Sequence, residues 1–189
     1  MTKKMSFSKI VSSAAVGNVL EYYDFTLFVY LAPHIGPLFF PKGDKITAII
    51  AALGIYALGY FMRPLGGILF GYIGDTYGRK NALTLSIIMM AIPTVLIGCL
   101  PTYEAIGVYS PILLTCCRLL QGLCVGGEYN GASIFAVENV EKGRAFAGSL
   151  VTSSSALGGL IGSAVSGVVL MSFMPSWAWR GAFILRALI

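Results

Sequence analysis

Long apolar segments recur along the 189-residue chain and constrain its fold more than any other feature. Only 11% of the residues are charged, against roughly 25% in soluble domains. A helix of about 20 apolar residues crosses a bilayer, and the segments reach or approach that length. We therefore predict an all-α membrane protein with five complete transmembrane helices and a partial sixth, at residues 10–40, 46–73, 82–100, 106–137, 145–173 and 177–189.

Two acidic residues, Glu21 and Asp24, interrupt the first apolar segment. Their spacing of three places them on one face of a helix. An ionised carboxylate inside the bilayer costs several kcal/mol unless it faces a cavity or a cation, so such residues commonly mark substrate or proton pathways. An alternative interpretation is a buried pair that only locks two helices together.

Arg118, in the fourth segment, is predicted to lie at a similar depth in the membrane. Glu21 follows Ile10 by 11 residues, or about 16 Å of helix, and Arg118 follows Ile106 by 12 residues, or about 18 Å from the other side. A nearby arginine favours an ionised carboxylate, whereas burial favours a neutral one. A movement that separates the charges could therefore drive proton uptake.

Four sequence motifs in successive segments resemble those of one transporter family. They are Asn18–Phe25, Arg63–Gly67, Gly71–Lys80 and Arg118–Glu128. In this order they resemble the metabolite:proton symporter family of the major facilitator superfamily, which includes transporters of proline and betaine, citrate, 2-oxoglutarate and shikimate. Thr76 departs from the usual basic residue in the third motif.

The resemblance implies the amino-terminal helical bundle of a twelve-helix major facilitator fold that works by alternating access. It places the first and fourth helices at the central cavity, and it assigns three groups of residues. The proton-coupling and substrate cavity would include Glu21, Asp24, Arg118, Gln121, Asn18 and Tyr22. A cytoplasmic gating loop would include Gly71, Asp75, Gly78, Arg79 and Lys80, and a helix-packing charge network would include Arg63 and Glu128.

Positive charges predict the orientation of the bundle. With a cytoplasmic N-terminus, seven cations of the connecting segments lie inside and three outside, as the positive-inside rule favours. The inner group is Lys3, Lys4, Lys9, Arg79, Lys80, Lys142 and Arg144, and the outer group is Lys42, Lys45 and Arg180. We predict a multi-pass protein of the bacterial inner membrane. The cations do not form one stripe, so the net charge of +5 does not indicate a nucleic-acid partner.

The predicted function is proton-coupled symport of a small polar metabolite such as an osmolyte or organic acid. The fifth segment has glycines at 158, 159 and 162 but no Gly-Pro pair, which is typical of antiporters in the superfamily; its absence favours symport. These glycines also suit simple helix packing. No nucleotide-binding or nucleophile motif is present, so we predict neither an enzyme nor a cofactor.

The expected partners are a small-molecule substrate, protons, the lipid bilayer, and a carboxy-terminal six-helix half or another copy. The last segment has 13 residues, about 20 Å of helix, which is short of a hydrocarbon core about 30 Å thick. The alternative is therefore a non-transporting membrane fragment, or a half that acts only by associating with a second chain.

Overall fold

The computed structural model describes residues 7–139 and 143–185, which form α-helices and no strand. The side chains of residues 7–11, 13, 14, 127–136, 138 and 139 lie outside the described part. The helices in chain order are α1 (Phe7–Phe39), α2 (Lys45–Phe61), α3 (Arg63–Tyr77), α4 (Arg79–Cys99), α5 (Tyr103–Ile106), α6 (Tyr109–Asn139), α7 (Arg144–Val169) and α8 (Ala178–Leu185).

Four helical stretches of the described residues are long and apolar enough to cross a membrane: Lys45–Tyr77, Arg79–Cys99, Tyr109–Gly126 and Arg144–Val169. The first combines α2 and α3. The helix α1 has 33 residues, or about 50 Å, which also exceeds the thickness of a bilayer core. These five helices and the short α8 confirm the predicted fold class.

The turn between α3 and α4 is much shorter than the predicted charged turn at 74–81. It consists of Gly78 alone, with φ +92°, a conformation that favours glycine. Because one glycine reverses the chain, α3 continues to Tyr77, past its predicted end at 73. For the same reason α4 begins at Arg79, before its predicted start at 82.

The end of α1 also differs from the sequence expectation. Pro33 and Pro37 predicted an irregular end, yet both lie inside a helix that continues to Phe39. The backbone N–H of Phe40 donates to the carbonyl of Gly36 at 3.1 Å, which maintains the helical hydrogen-bond pattern past Pro37. Membrane helices tolerate proline where neighbouring helices pack against the freed backbone groups.

The remaining bounds differ by a few residues. The fourth predicted span, 106–137, begins at Tyr109 as α6, since Gly107 at φ +58° separates it from the four-residue α5. The fifth, 145–173, ends at Val169, after which residues 170–177 form turns. The described part of the sixth ends at Leu185.

Helix α1 lies at the centre of the bundle and packs on α2, α6 and α7. Its buried apolar side chains, including Leu27, Phe28 and Leu31, form one core with residues of α2, α4, α6 and α8. The Tyr23 hydroxyl donates to the carbonyl of Ala182 at 2.8 Å and so fixes α1 to α8. The surface is apolar, with Phe61 77% exposed, as expected for helices that face lipid.

Glycines allow three pairs of helices to approach closely. A Cβ atom on Gly122 of α6 would collide with the carbonyl oxygen of Gly59 in α2, and one on Gly66 of α3 would collide with that of Leu123. A Cβ on Gly162 of α7 would lie 2.8 Å from the carbonyl oxygen of Tyr23 in α1. Lipid gives no hydrophobic drive for helix association, so this close packing stabilises the bundle.

Candidate substrate and proton site

The two acids of α1 are fully buried. Glu21 and Asp24 both have no exposed surface, and their spacing turns them toward the inside of the bundle. Arg118 and Gln121 of α6 are 2% and 1% exposed. Four polar side chains from the two helices predicted to line the cavity are therefore enclosed by protein, where burial without a partner would be costly.

Hydrogen bonds connect Asp24 to Arg118 through two intervening side chains. Arg118 NH1 donates to Gln121 Oε1 at 2.8 Å, and Gln121 Nε2 donates to the Thr94 hydroxyl at 2.6 Å. The same hydroxyl lies 3.1 Å from Asp24 Oδ2 and 3.0 Å from the carbonyl oxygen of Met90. A hydroxyl has one proton, so it donates to one of these acceptors at a time.

Glu21 lies close to a different arginine. Arg63 NH2 of α3 is 3.8 Å from Glu21 Oε1, with the carboxylate fully buried and the arginine side chain 27% exposed. The sequence placed Arg63 in a packing and charge network, apart from the acids. The two buried acids are therefore accompanied by two arginines, Arg63 and Arg118, whereas the sequence predicted a single cation near mid-membrane.

An aromatic cluster, which consists of Phe25, Phe28, Tyr56 and Tyr60, separates the two arginines. The Arg63 guanidinium lies 3.9 Å from the ring centroid of Tyr60 and 4.5 Å from that of Phe25. The Arg118 guanidinium lies 3.5 Å from the centroid of Phe28. Such cation–π contacts stabilise a desolvated guanidinium while its N–H groups keep their hydrogen-bonding capacity.

The structure gives Asn18 and Tyr22 different surroundings. Asn18 is fully buried, and its Nδ2 donates to the Val151 carbonyl at 2.6 Å and the Ser154 hydroxyl at 2.8 Å. These bonds fix α1 to α7. Tyr22 instead lines a cleft of about 650 Å³ between α1, α2 and α7.

A second cleft, the Arg63 cleft, lies between α3 and α6 and has a volume of about 630 Å³. Its lining includes Arg63, Gly67, Val125 and Gly126. Tyr60 lines both clefts. Pockets of a few hundred cubic ångströms commonly accommodate small molecules, and these two adjoin the buried polar groups.

The predicted gating residues lie around the α3–α4 turn. Asp75 Oδ1 and Arg79 NH2 form an ion pair at 3.0 Å, with side chains 69% and 36% exposed. Gly78 is the turn itself, and Lys80 is exposed. A Cβ on Gly71 would meet nothing within 4 Å. The side chain of Glu128 lies outside the described residues.

A further ion pair lies at the opposite end of the bundle. Lys42 Nζ and Glu104 Oε1 are 2.7 Å apart, and both side chains are largely exposed. The hydrogen bond and the charge of Lys42 lower the pKa of Glu104, and those of Glu104 raise the pKa of Lys42. Asp44 accepts from the backbone N–H of Thr47 at 3.0 Å, which lowers the Asp44 pKa and caps α2.

The chain matches the family of sugar (and other) transporters over residues 10–189. It belongs to this family of the major facilitator superfamily. It is 40% identical over 182 residues to the proline/betaine transporter of Escherichia coli strain K12, covering 93% of this chain and 36% of the relative. The predicted resemblance is thereby confirmed.

Other relatives are also transporters. The glycine betaine/proline/ectoine/pipecolic acid transporter of Dickeya dadantii strain 3937 is 42% identical over 184 residues, covering 94% of this chain and 36% of the relative. The alpha-ketoglutarate permease of Escherichia coli strain K12 is 36% identical over 184 residues, covering 95% and 43%. The chain thus spans less than half the length of these relatives, each of which is named as a transporter or permease and none as an enzyme.

Sequence reasoning missed Thr94, Tyr56 and Tyr60. Thr94 lies in the apolar second half of α4, beyond the reach of the motifs, and a threonine in a membrane helix commonly bonds its own backbone. The tyrosines lie four residues apart in α2, and their hydroxyls are 3.0 Å apart. That spacing was the available signal of a shared helix face.

Proposed function

We propose that this chain forms the amino-terminal half of a proton-coupled symporter for a small polar metabolite, such as an osmolyte or organic acid. The hydrogen-bonded path from Asp24 through Thr94 and Gln121 to Arg118 carries the proposal. It joins α1, α4 and α6 within the membrane-spanning part of the bundle. The names of the relatives, which include proline, betaine and alpha-ketoglutarate, support this substrate class.

Coupling would follow from the position of the two acids between moving helices. Asp24 and Glu21 lie on α1, whereas the arginines that accompany them lie on α6 and α3. A change in helix packing alters the distance between each acid and its arginine, and with it the relative stability of the protonated and ionised carboxyl groups. The two acids can also titrate as a pair, so we assign the proton to the pair.

The complete transporter would need a second half. In this superfamily, two six-helix bundles enclose the substrate site. The chain covers 36% of the Escherichia coli proline/betaine transporter, so the other half would be a carboxy-terminal segment or another copy. The cation distribution supports an inner-membrane location with a cytoplasmic N-terminus.

The alternative is a membrane chain that does not transport and acts only by associating with a second chain. The transport cavity of this superfamily lies between two halves, and this chain spans about a third of the length of the relatives. The two functions differ in one observable property, because only a transporter accumulates solute against a gradient.

Uptake into proteoliposomes tests the proposal. The samples are this chain alone and this chain continued by the carboxy-terminal part of the Escherichia coli proline/betaine transporter. We expect an inwardly directed proton gradient to drive accumulation of labelled proline, glycine betaine or 2-oxoglutarate in the continued chain, and a protonophore to abolish it. Equal uptake with and without the gradient would contradict proton coupling, and the absence of any uptake would favour the alternative.

A further inference from the structure

The two arginines of the site differ in their access to a ligand. Arg118 is 2% exposed, and its NH1 already donates to Gln121 at 2.8 Å. Arg63 has a side chain that is 27% exposed, and it lines the Arg63 cleft. A solute that enters this cleft therefore reaches Arg63 without rearranging the buried hydrogen bonds of Arg118.

The guanidinium of Arg63 keeps hydrogen-bonding capacity for a ligand. Its Nε is buried yet makes no hydrogen bond with the described residues, so the carboxylate would have to approach the exposed part of the guanidinium. Its NH2 lies 3.8 Å from Glu21 Oε1, which is within range of an ion pair but beyond the usual length of a hydrogen bond. The rings of Phe25 and Tyr60 hold the guanidinium by its flat face. An arginine held in this way presents its edge to an incoming group.

We infer that Arg63 anchors a carboxylate group of the transported solute within the Arg63 cleft. This inference rests on the proposed function and names the binding group within it. A guanidinium donates two parallel hydrogen bonds to a carboxylate, a geometry that a lysine cannot reproduce. Gly67 and Gly126 in the cleft wall have no side chains to obstruct the anion. The cleft volume of about 630 Å³ is ample for a small organic acid or zwitterion.

The sequence placed Arg118, not Arg63, in the substrate cavity, and binding measurements on Arg63 variants test which of the two arginines anchors the carboxylate. The sample is the purified 189-residue chain in nanodiscs. The probes are three matched pairs, in which the second member lacks the free carboxylate: glycine betaine and choline, proline and prolinamide, and 2-oxoglutarate and its dimethyl ester. The variants are Arg63→Gln and Arg63→Lys, with Lys45→Gln as a control that removes one exposed positive charge.

We expect at least one carboxylate probe to bind while its matched counterpart does not. Arg63→Gln should weaken binding by about tenfold or more, because a charge-assisted hydrogen bond is lost. Arg63→Lys should retain part of the affinity, and Lys45→Gln should leave it unchanged. Unchanged binding by a folded Arg63→Gln chain, equal binding of both members of every pair, or no carboxylate binding at all would each overturn the inference.

Protection of a single cysteine provides a second test in case Arg63→Gln does not fold. A Cβ on Gly67 would lie 3.5 Å from the carbonyl oxygen of Gly126, an ordinary contact, so Gly67→Cys should fold when the four native cysteines are replaced by serine. We expect the bound carboxylate probe to slow maleimide labelling of this cysteine. Labelling at the same rate with and without it would place binding elsewhere. Neither test uses a proton gradient, so failure here is distinguishable from failure of coupling.

Discussion

The glycine contact between α6 and α2 allows a quantitative prediction for Gly122→Ala. The new Cβ would collide with the backbone carbonyl oxygen of Gly59, which cannot rotate away as a side chain would. Gly59 is itself confined, since a Cβ there would lie 3.0 Å from the carbonyl oxygen of Arg118. The helices must therefore separate, and overpacking of this kind costs about 1–3 kcal/mol.

Gly54→Ala is the matched control in α2. A Cβ at this position would meet nothing within 4 Å. Both substitutions remove a glycine from a helix interior, which alone stabilises a helix by about 0.5–1 kcal/mol. Because this gain is common to the two variants, their difference isolates the collision. We expect Gly122→Ala to be less stable than Gly54→Ala by about 1–3 kcal/mol.

Reversible unfolding in mixed micelles with increasing sodium dodecyl sulfate measures this difference. Circular dichroism reports helix content, and the fluorescence of Trp177 and Trp179 reports the α8 region. Equal midpoints and slopes for the two variants would refute the argument, since they would show that α2 and α6 do not approach as closely as the glycines allow.

Three further predictions concern the ends of the bundle. Asp75→Asn removes the ion pair with Arg79, so turnover in the continued transporter should fall far more than substrate affinity; an equal loss of affinity would place this turn at the binding site. Glu104→Gln should slightly lower the thermal midpoint at pH 7. The difference should shrink as the pH falls below the ordinary carboxyl pKa of 4.5 and vanish only below the lowered pKa of Glu104 in the folded chain, where both states bind the proton. An impermeant maleimide applied to intact cells should label Gly43→Cys but not Thr76→Cys, and the reverse would contradict the proposed orientation.

The sequence predicts the helices of this chain well because lipid imposes a simple requirement. Each span must satisfy its own backbone hydrogen bonds, so length and hydropathy are enough to locate it. The single-residue turn at Gly78 was not predictable from charge, because Asp75 and Arg79 pair as well on helix ends as in a loop. The prolines of α1 misled for a related reason, since packing against α2 maintains a helix that proline would end in water.

The candidate site was predictable only in part. The spacing of Glu21 and Asp24 placed both acids on an inner face, and their depth relative to Arg118 indicated a polar centre. The partner of each acid could not be predicted from the sequence, because it depends on the rotation of α3 and α4 about their axes. That rotation brings Arg63 to Glu21 and Thr94 to Asp24, and no motif on α1 or α6 encodes it.

The central claim is that the buried acids couple proton entry to solute uptake. It is tested by comparing solute accumulation driven by a pH gradient with solute exchange (counterflow) at equal pH. Asp24→Asn, Glu21→Gln and their double variant are introduced into the continued chain, with Glu104→Gln as the control for loss of an acid outside the buried site. We predict that at least one single variant loses accumulation driven by a pH gradient yet keeps solute exchange at equal pH, whereas the control keeps both. Full gradient-driven accumulation by the double variant would contradict the account and leave these carboxylates a structural role.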